Sequence, residues 1–197
     1  MNFKLVLSSL TFILALFLIF KKEDVAEIQI YKGNIMGTSY NITLQSDVSG
    51  EEAHFKAYNI LQKVNQEMST YIDDSLISKV NKADIGKWVK VSQDFLDVLS
   101  FATALCKDTR GIYDVSIGKL VNLWGFGPDS VDKEPSAEEL SYFSSQVGCN
   151  SIELDHLNLS IKKVKDVELD FSSIAKGFGV DKVYEFLIKQ PYLNGFF

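Results

Sequence analysis

The sequence predicts an α+β domain, and three observations carry that prediction. Residues 26–31 and 39–44 alternate apolar and polar side chains, the period of half-buried strands. Residues 51–68 and 92–106 instead place their apolar side chains on single helical stripes. With 197 residues and 46% hydrophobic content, the chain can bury one sizeable core.

Met1–Lys4 is a short basic start, and Leu5–Phe20 is an uncharged apolar run closed by Lys21 and Lys22. That run is short for a spanning helix and suits a signal segment. With no small-x-small cleavage site after Phe20, residues 1–22 are expected to be a signal peptide or membrane anchor and residues 26–197 the folded domain. The lysines on the two sides oppose each other and leave orientation open.

The two strand segments flank Gly33–Thr38, a hairpin connection that presents Met36. On the following helix the stripe is Ala53, Ala57, Ile60, Leu61, Val64 and Met68. Asp73-Asp74-Ser75 caps a short second helix through Val80, so Tyr71 falls at a helix junction. There it can stack on a planar ring or simply close the core. Trp88–Val91 reads as a strand, and Ser92 caps a structural helix bearing Phe95, Val98, Leu99, Ala102, Leu105 and Cys106 on one stripe. Arg110-Gly111 ends it, a basic last turn before a C′ glycine.

Asp114 then stands among strand-like apolar residues, where a carboxylate is costly unless it accepts hydrogen bonds or meets a ligand. Trp124–Pro128 is an aromatic, glycine-rich turn. Asp129–Pro135 is an acidic linker, and Ser136–Glu139 is a capping box opening a helix to about Val147. Ser151–Leu154 and Leu157–Lys162 form an expected hairpin around Asp155-His156. Leu169–Asp181 ends a strand on Asp170 and turns through Ser172 and Ser173, which can cap the last helix. A helix start of this kind can seat a phosphate or merely be an ordinary capped end. Gly177 and Gly179 imply a close approach within that helix.

A net charge of −6 leaves no basic stripe for nucleic acid. GxGxxG and GxxxxGK[ST] are absent, and the two histidines, His54 and His156, match neither a catalytic triad nor a zinc-ligand pattern. Cys106 and Cys149 lack metal-ligand spacing; a disulfide between them is possible in an oxidising compartment, though their spacing does not call for one.

Three segments together resemble the ApbE family of membrane-associated flavin transferases: Asn34-Ile-Met-Gly-Thr-Ser-Tyr40, Gly111–Pro128 with its Leu-Val-Asn-Leu-Trp-Gly-Phe-Gly-Pro ending, and Leu169–Asp181. Met68-Ser-Thr-Tyr71 with Asp74-Ser75 supports them in order. The resemblance implies FAD as substrate, contacted by Met36, Tyr71, Ile112, Tyr113, Asp114, Asp170 and Lys176. It implies Mg²⁺ as cofactor, with one ligand from Ser173, and no catalytic nucleophile in the protein. The implied reaction moves FMN from FAD to a threonine hydroxyl of an acceptor protein and releases AMP. The implied setting is the inner membrane, facing the periplasm. Members of the family continue past residue 197, so the domain is expected to be C-terminally incomplete and the last helix to have no strand after it. Flavin binding, or FAD pyrophosphatase activity, without transfer is the alternative for this chain.

Overall fold

The computed structural model describes residues 27–128, 134–191 and 193–196. The expected anchor segment lies outside the described residues, as does most of the acidic linker, and no described helix is long and apolar enough to cross a membrane. Strands β1 (Glu27–Ile35) and β2 (Thr38–Ser46) pair antiparallel along their whole length, from Glu27 opposite Ser46 to Ile35 opposite Thr38. The connection is a two-residue turn with Met36 at φ 54° and Gly37 at φ 69°. Positive φ at both centres is the type I′ geometry that matches strand twist.

Helix α1 (Glu51–Met68) crosses this hairpin, followed by α2 (Leu76–Lys82), β3 (Trp88–Lys90) and α3 (Gln93–Asp108). The expected caps are present: Ser75 accepts from the Ser78 amide and Ser92 from the Phe95 amide. At the end of α3 the left-handed residue directly after the cap is Arg110 (φ 55°), with Gly111 (φ 82°) behind it. The Gly111 amide donates to the Cys106 carbonyl and the Arg110 amide to that of Lys107. This is a Schellman closure, shifted one residue from the expected C′ glycine. Helices α4 (Gly118–Leu123) and α5 (Ala137–Gln146) come next, α5 with the expected Ser136–Glu139 capping box.

Strands β4 (Ile152–Asp155) and β5 (Ser160–Lys163) form a second antiparallel sheet of order β3-β5-β4. Their turn is longer than the sequence suggested, because Leu159 takes φ 44° and Leu157 is turned out to solvent. Helix α6 spans Ala175–Leu187, and β6 (Leu193–Phe196) pairs antiparallel with β2, completing the sheet order β1-β2-β6. That strand overturns the expectation of none after the last helix. A helix ending at Leu187 leaves enough chain to turn back onto the open edge of β2.

Two apolar clusters meet on α1. Leu61, Ala53 and Ala57 pack with Ile42, Leu44, Val183 and Leu187. Val64 and Met68 join Phe95, Leu96, Leu99, Ile77, Leu169 and Phe171. The Phe95 and Phe171 rings lie 5.0 Å apart, both fully buried. α6 lies close on α1 because Gly179 lacks a Cβ, which would sit 3.1 Å from Leu61 Cδ2 and 3.6 Å from Met36 Sδ. Gly177 faces open space, so only one of the two helical glycines serves a close approach.

Candidate functional site

The segment after α3 is a loop of turns and bends rather than the expected strand, joined by one parallel bridge between Ile117 and Glu168. Gly118 makes the approach possible: its amide donates to the Glu168 carbonyl at 2.8 Å, and an added Cβ would meet that oxygen at 2.9 Å. The Asp170 amide donates to the Val115 carbonyl at 2.8 Å. Residues 113–118 and 167–170, distant in sequence, therefore lie side by side.

Asp170 does not open onto a serine-capped helix. The cap position of α6 is Ile174, with no side-chain hydrogen bond. Ser172 instead donates its amide to Asp170 Oδ1 at 2.6 Å, a local turn around the carboxylate. Ser173 Oγ lies 3.1 Å from the Tyr113 hydroxyl. Ser173 thus bridges the two segments through its hydroxyl, and neither serine stands at the cap position of α6.

Two clefts share Tyr71 as a wall. One, of about 640 Å³, is lined by Met36, Gly37, Met68, Tyr71, Ser172 and Lys176 among others. Its neighbour, of about 220 Å³, is polar and lined by Tyr71, Asp73, Asn81, Asn122, Glu168 and Asp170 among others. Tyr71 is largely exposed, yet its hydroxyl donates to the Phe126 carbonyl at 2.9 Å, which fixes the ring against the glycine-rich turn. Asp73 at the edge pairs with Lys82, and that hydrogen bond holds its carboxyl below the usual range. Met36 and Lys176 also border an apolar groove of about 430 Å³ between β2 and α6.

Of the sequence-predicted residues, Met36, Tyr71 and Lys176 thus line one cleft, Asp170 lines the adjoining one, and Tyr113 reaches the start of α6 through Ser173. Ile112 and Asp114 line neither cleft. Ile112 is 92% exposed. Asp114 Oδ1 accepts from the Ser116 amide and hydroxyl, both at 2.8 Å, while its buried Oδ2 accepts no hydrogen bond among the described residues. The carboxylate lies within 4.8 Å of the sulfurs of Cys106 and Cys149. Those sulfurs are bonded to each other. The sequence reading left this pairing open; folding brings the two ends of a 43-residue separation together. A disulfide offers no thiolate, so the group is not a metal centre.

Mg²⁺ requires near-octahedral oxygen coordination. Ser173 offers one hydroxyl, already hydrogen-bonded to Tyr113, and the described residues gather no carboxylate cluster around it. The donor set present does not fit the ion.

Sequence reasoning missed Asn81, Asn122 and Glu168. Asn122 Nδ2 donates to Glu168 Oε2 at 3.0 Å, and the Asn81 side chain bonds both backbone groups of Leu169. None has a local signal, since each partner lies 46 or 88 positions away.

Comparison with known proteins matches this architecture. The chain is 42% identical over 163 residues to an FAD:protein FMN transferase of Haemophilus influenzae, covering 78% of this chain and 47% of that protein. It is 36% identical over 185 residues to the enzyme of that name from Vibrio cholerae, covering 87% and 52%. The structure of the flavin transferase ApbE from Vibrio cholerae superposes with a TM-score of 0.80 at 34% identity, over 87% of this chain and 56% of that one. This chain therefore spans about half the length of the curated relatives it matches. The model of the ApbE family matches residues 36–196, and the chain belongs to the ApbE family.

Proposed function

We propose that this chain carries the flavin-nucleotide-holding part of an FAD:protein FMN transferase. The observation that carries the reading is the junction of the two clefts at Tyr71, with Met36 and Lys176 on one side and Asp170 on the other. In this reading the larger cleft, with thioether, phenol ring and ammonium on its walls, takes the flavin nucleotide. A planar ring gains stacking area on Tyr71, and the Lys176 ammonium offsets phosphate charge. The polar cleft takes hydroxyl-bearing groups of the same ligand, with Asp170 and Asn122 as hydrogen-bonding partners.

The reaction proposed for a polypeptide of the relatives' full length joins a threonine oxygen of an acceptor protein to the FMN phosphorus. The pyrophosphate P–O bond breaks, AMP leaves with the bridging oxygen, and the threonine proton passes to solvent. Such transfer depends on positioning and charge neutralisation more than on a protein nucleophile. Mg²⁺ would supply that neutralisation, but the described residues do not assemble a site for it, so no step is assigned to it here. Attachment to the inner membrane through residues 1–22, facing the periplasm, completes the proposal and suits a domain stapled by a disulfide.

Titrating the 197-residue chain with FAD while following flavin fluorescence tests the reading. Saturable binding that Tyr71→Ala or Asp170→Ala weakens measurably is expected; a wild-type chain that leaves the fluorescence unchanged would refute it. The chain alone, given FAD, Mg²⁺ and a threonine-bearing acceptor, is expected to leave the acceptor without covalent flavin. AMP release without an acceptor would point instead to a pyrophosphatase.

A further inference from the structure

We infer that Asn81 is a positioning residue that fixes the backbone carrying Asp170, and so the wall of the polar cleft; the inference rests on the flavin-site reading above. Asn81 stands in the last turn of α2, far from the 167–170 segment in sequence. Its Nδ2 donates to the Leu169 carbonyl at 2.9 Å, and its Oδ1 accepts from the Leu169 amide at 2.7 Å. One side-chain amide thus satisfies both polar groups of a single residue, as a neighbouring strand would. Among the described residues no strand pairs with Leu169: the segment's parallel bridge to the Gly111–Gly118 loop is made at Glu168 and its next bond at the Asp170 amide.

The clasp is held from behind. The Asn81 carbonyl accepts from Lys163 Nζ at 2.6 Å, and Lys163 is only 6% exposed. From there the order runs outward in short bonds: Lys163 to Asn81, Asn81 to Leu169, and Leu169 covalently to Asp170. Leu169 is fully buried, so the residue cannot slide without opening the core. On the other side of Asp170, Ser172 turns back onto its carboxylate. The carboxylate is therefore fixed from both directions, by a remote amide before it and a local turn after it. Asn81 itself also lines the polar cleft, beside the group it places.

An ordinary structural asparagine would stabilise the fold equally whether or not Asp170 is present. A positioning residue acts through Asp170, and this difference is measurable. The full 197-residue chain is prepared as wild type, Asn81→Ala, Asn81→Asp, Asp170→Ala and the Asn81→Ala/Asp170→Ala double variant. FAD affinity, thermal unfolding and amide hydrogen exchange at Leu169 are measured on each.

Asn81→Ala is expected to weaken FAD binding by about tenfold and to speed exchange at Leu169, because two buried backbone groups lose their partners. Asn81→Asp retains an acceptor for the Leu169 amide but turns a carboxylate toward the Leu169 carbonyl. Slow exchange kept at Leu169 together with weakened FAD binding is the expected result. On the Asp170→Ala background, Asn81→Ala is expected to add little further loss of affinity. Undiminished FAD binding in both Asn81 variants, or a loss undiminished on the Asp170→Ala background, would overturn the inference. Should Asn81→Ala fail to fold, Asn81→Asp decides, alone and combined with Asp170→Ala, on the same affinity criteria. If the wild-type chain does not bind FAD, the flavin reading fails, and exchange at Leu169 still decides the clasp: an unchanged rate in Asn81→Ala would overturn it.

Discussion

Met36 holds a conformation that a non-glycine residue adopts at a cost. A left-handed L-residue is disfavoured by about 1–2 kcal/mol, and type I′ turns usually carry Asn or Gly there. The side chain lines both the flavin-candidate cleft and the apolar groove, and its sulfur would be 3.6 Å from a Cβ on Gly179. Replacing it by glycine relieves the strain while adding backbone freedom of about 1 kcal/mol to the unfolded chain. Met36→Gly is therefore expected to change stability by no more than about 1 kcal/mol, measured by denaturant unfolding, while weakening FAD binding in titration. Equal affinity for both forms would remove Met36 from the ligand site. That Met36 sits at the tip of a hairpin was legible in the sequence, from the alternating runs and the flanking turn residues. That it faces α6 was not, because Gly179 had to be brought to it from 143 positions on. Asp114 shows the reverse: its oddity among apolar residues was visible, but its side chain turned to Ser116 and the disulfide rather than to either cleft.

At the scale of elements, three helices are tied by one carboxylate. Asp94 on α3 contacts Lys63 of α1 at 2.8 Å and Lys182 of α6 at 2.9 Å. Burial of Asp94 works against its charged form, but hydrogen bonds to the two lysines outweigh it and hold the carboxyl below its ordinary range. The folded state therefore binds this proton less readily than the unfolded chain. The stabilisation is complete above the unfolded carboxyl range, near pH 4, and is lost as pH falls through the lower folded value. Thermal unfolding from pH 7 down to pH 3 is expected to show Asp94→Asn less stable than wild type at pH 7, with the gap closing at the acid end. A gap that persists unchanged at pH 3 would remove the ion pairs as its source. Helices α1, α2, α3 and α5 were readable, with the Ser75, Ser92 and Ser136 caps, because stripe and cap are local patterns; α4 and the cap of α6 were not. The tie between them depends on which faces meet, and local patterns do not encode that.

Over the whole molecule, the disulfide closes a loop spanning the end of α3, the Gly111–Gly118 loop, α4 and α5. Opening a 43-residue loop frees the unfolded chain by about 4 kcal/mol. Reduction, or Cys106→Ala with Cys149→Ala, is expected to lower stability by that order in denaturant melts. A melt unmoved by reductant would show that the loop is held by packing alone. By itself, the sequence determined the β1–β2 hairpin, helices α1, α2, α3, α5 and α6, the Ser75, Ser92 and Ser136 caps, and the resemblance to the family, because these rest on periodicity and on short contiguous motifs. Only the tertiary structure decided the rest. It joined Cys106 to Cys149, set β6 on β2, and drew the serines of Leu169–Asp181 away from capping α6. It also gave Asp170 its support from Asn81 and left Asp114 outside the clefts. Each of these is a contact between residues far apart in the chain, fixed by which buried surfaces pack together and which backbone groups would otherwise lack a partner.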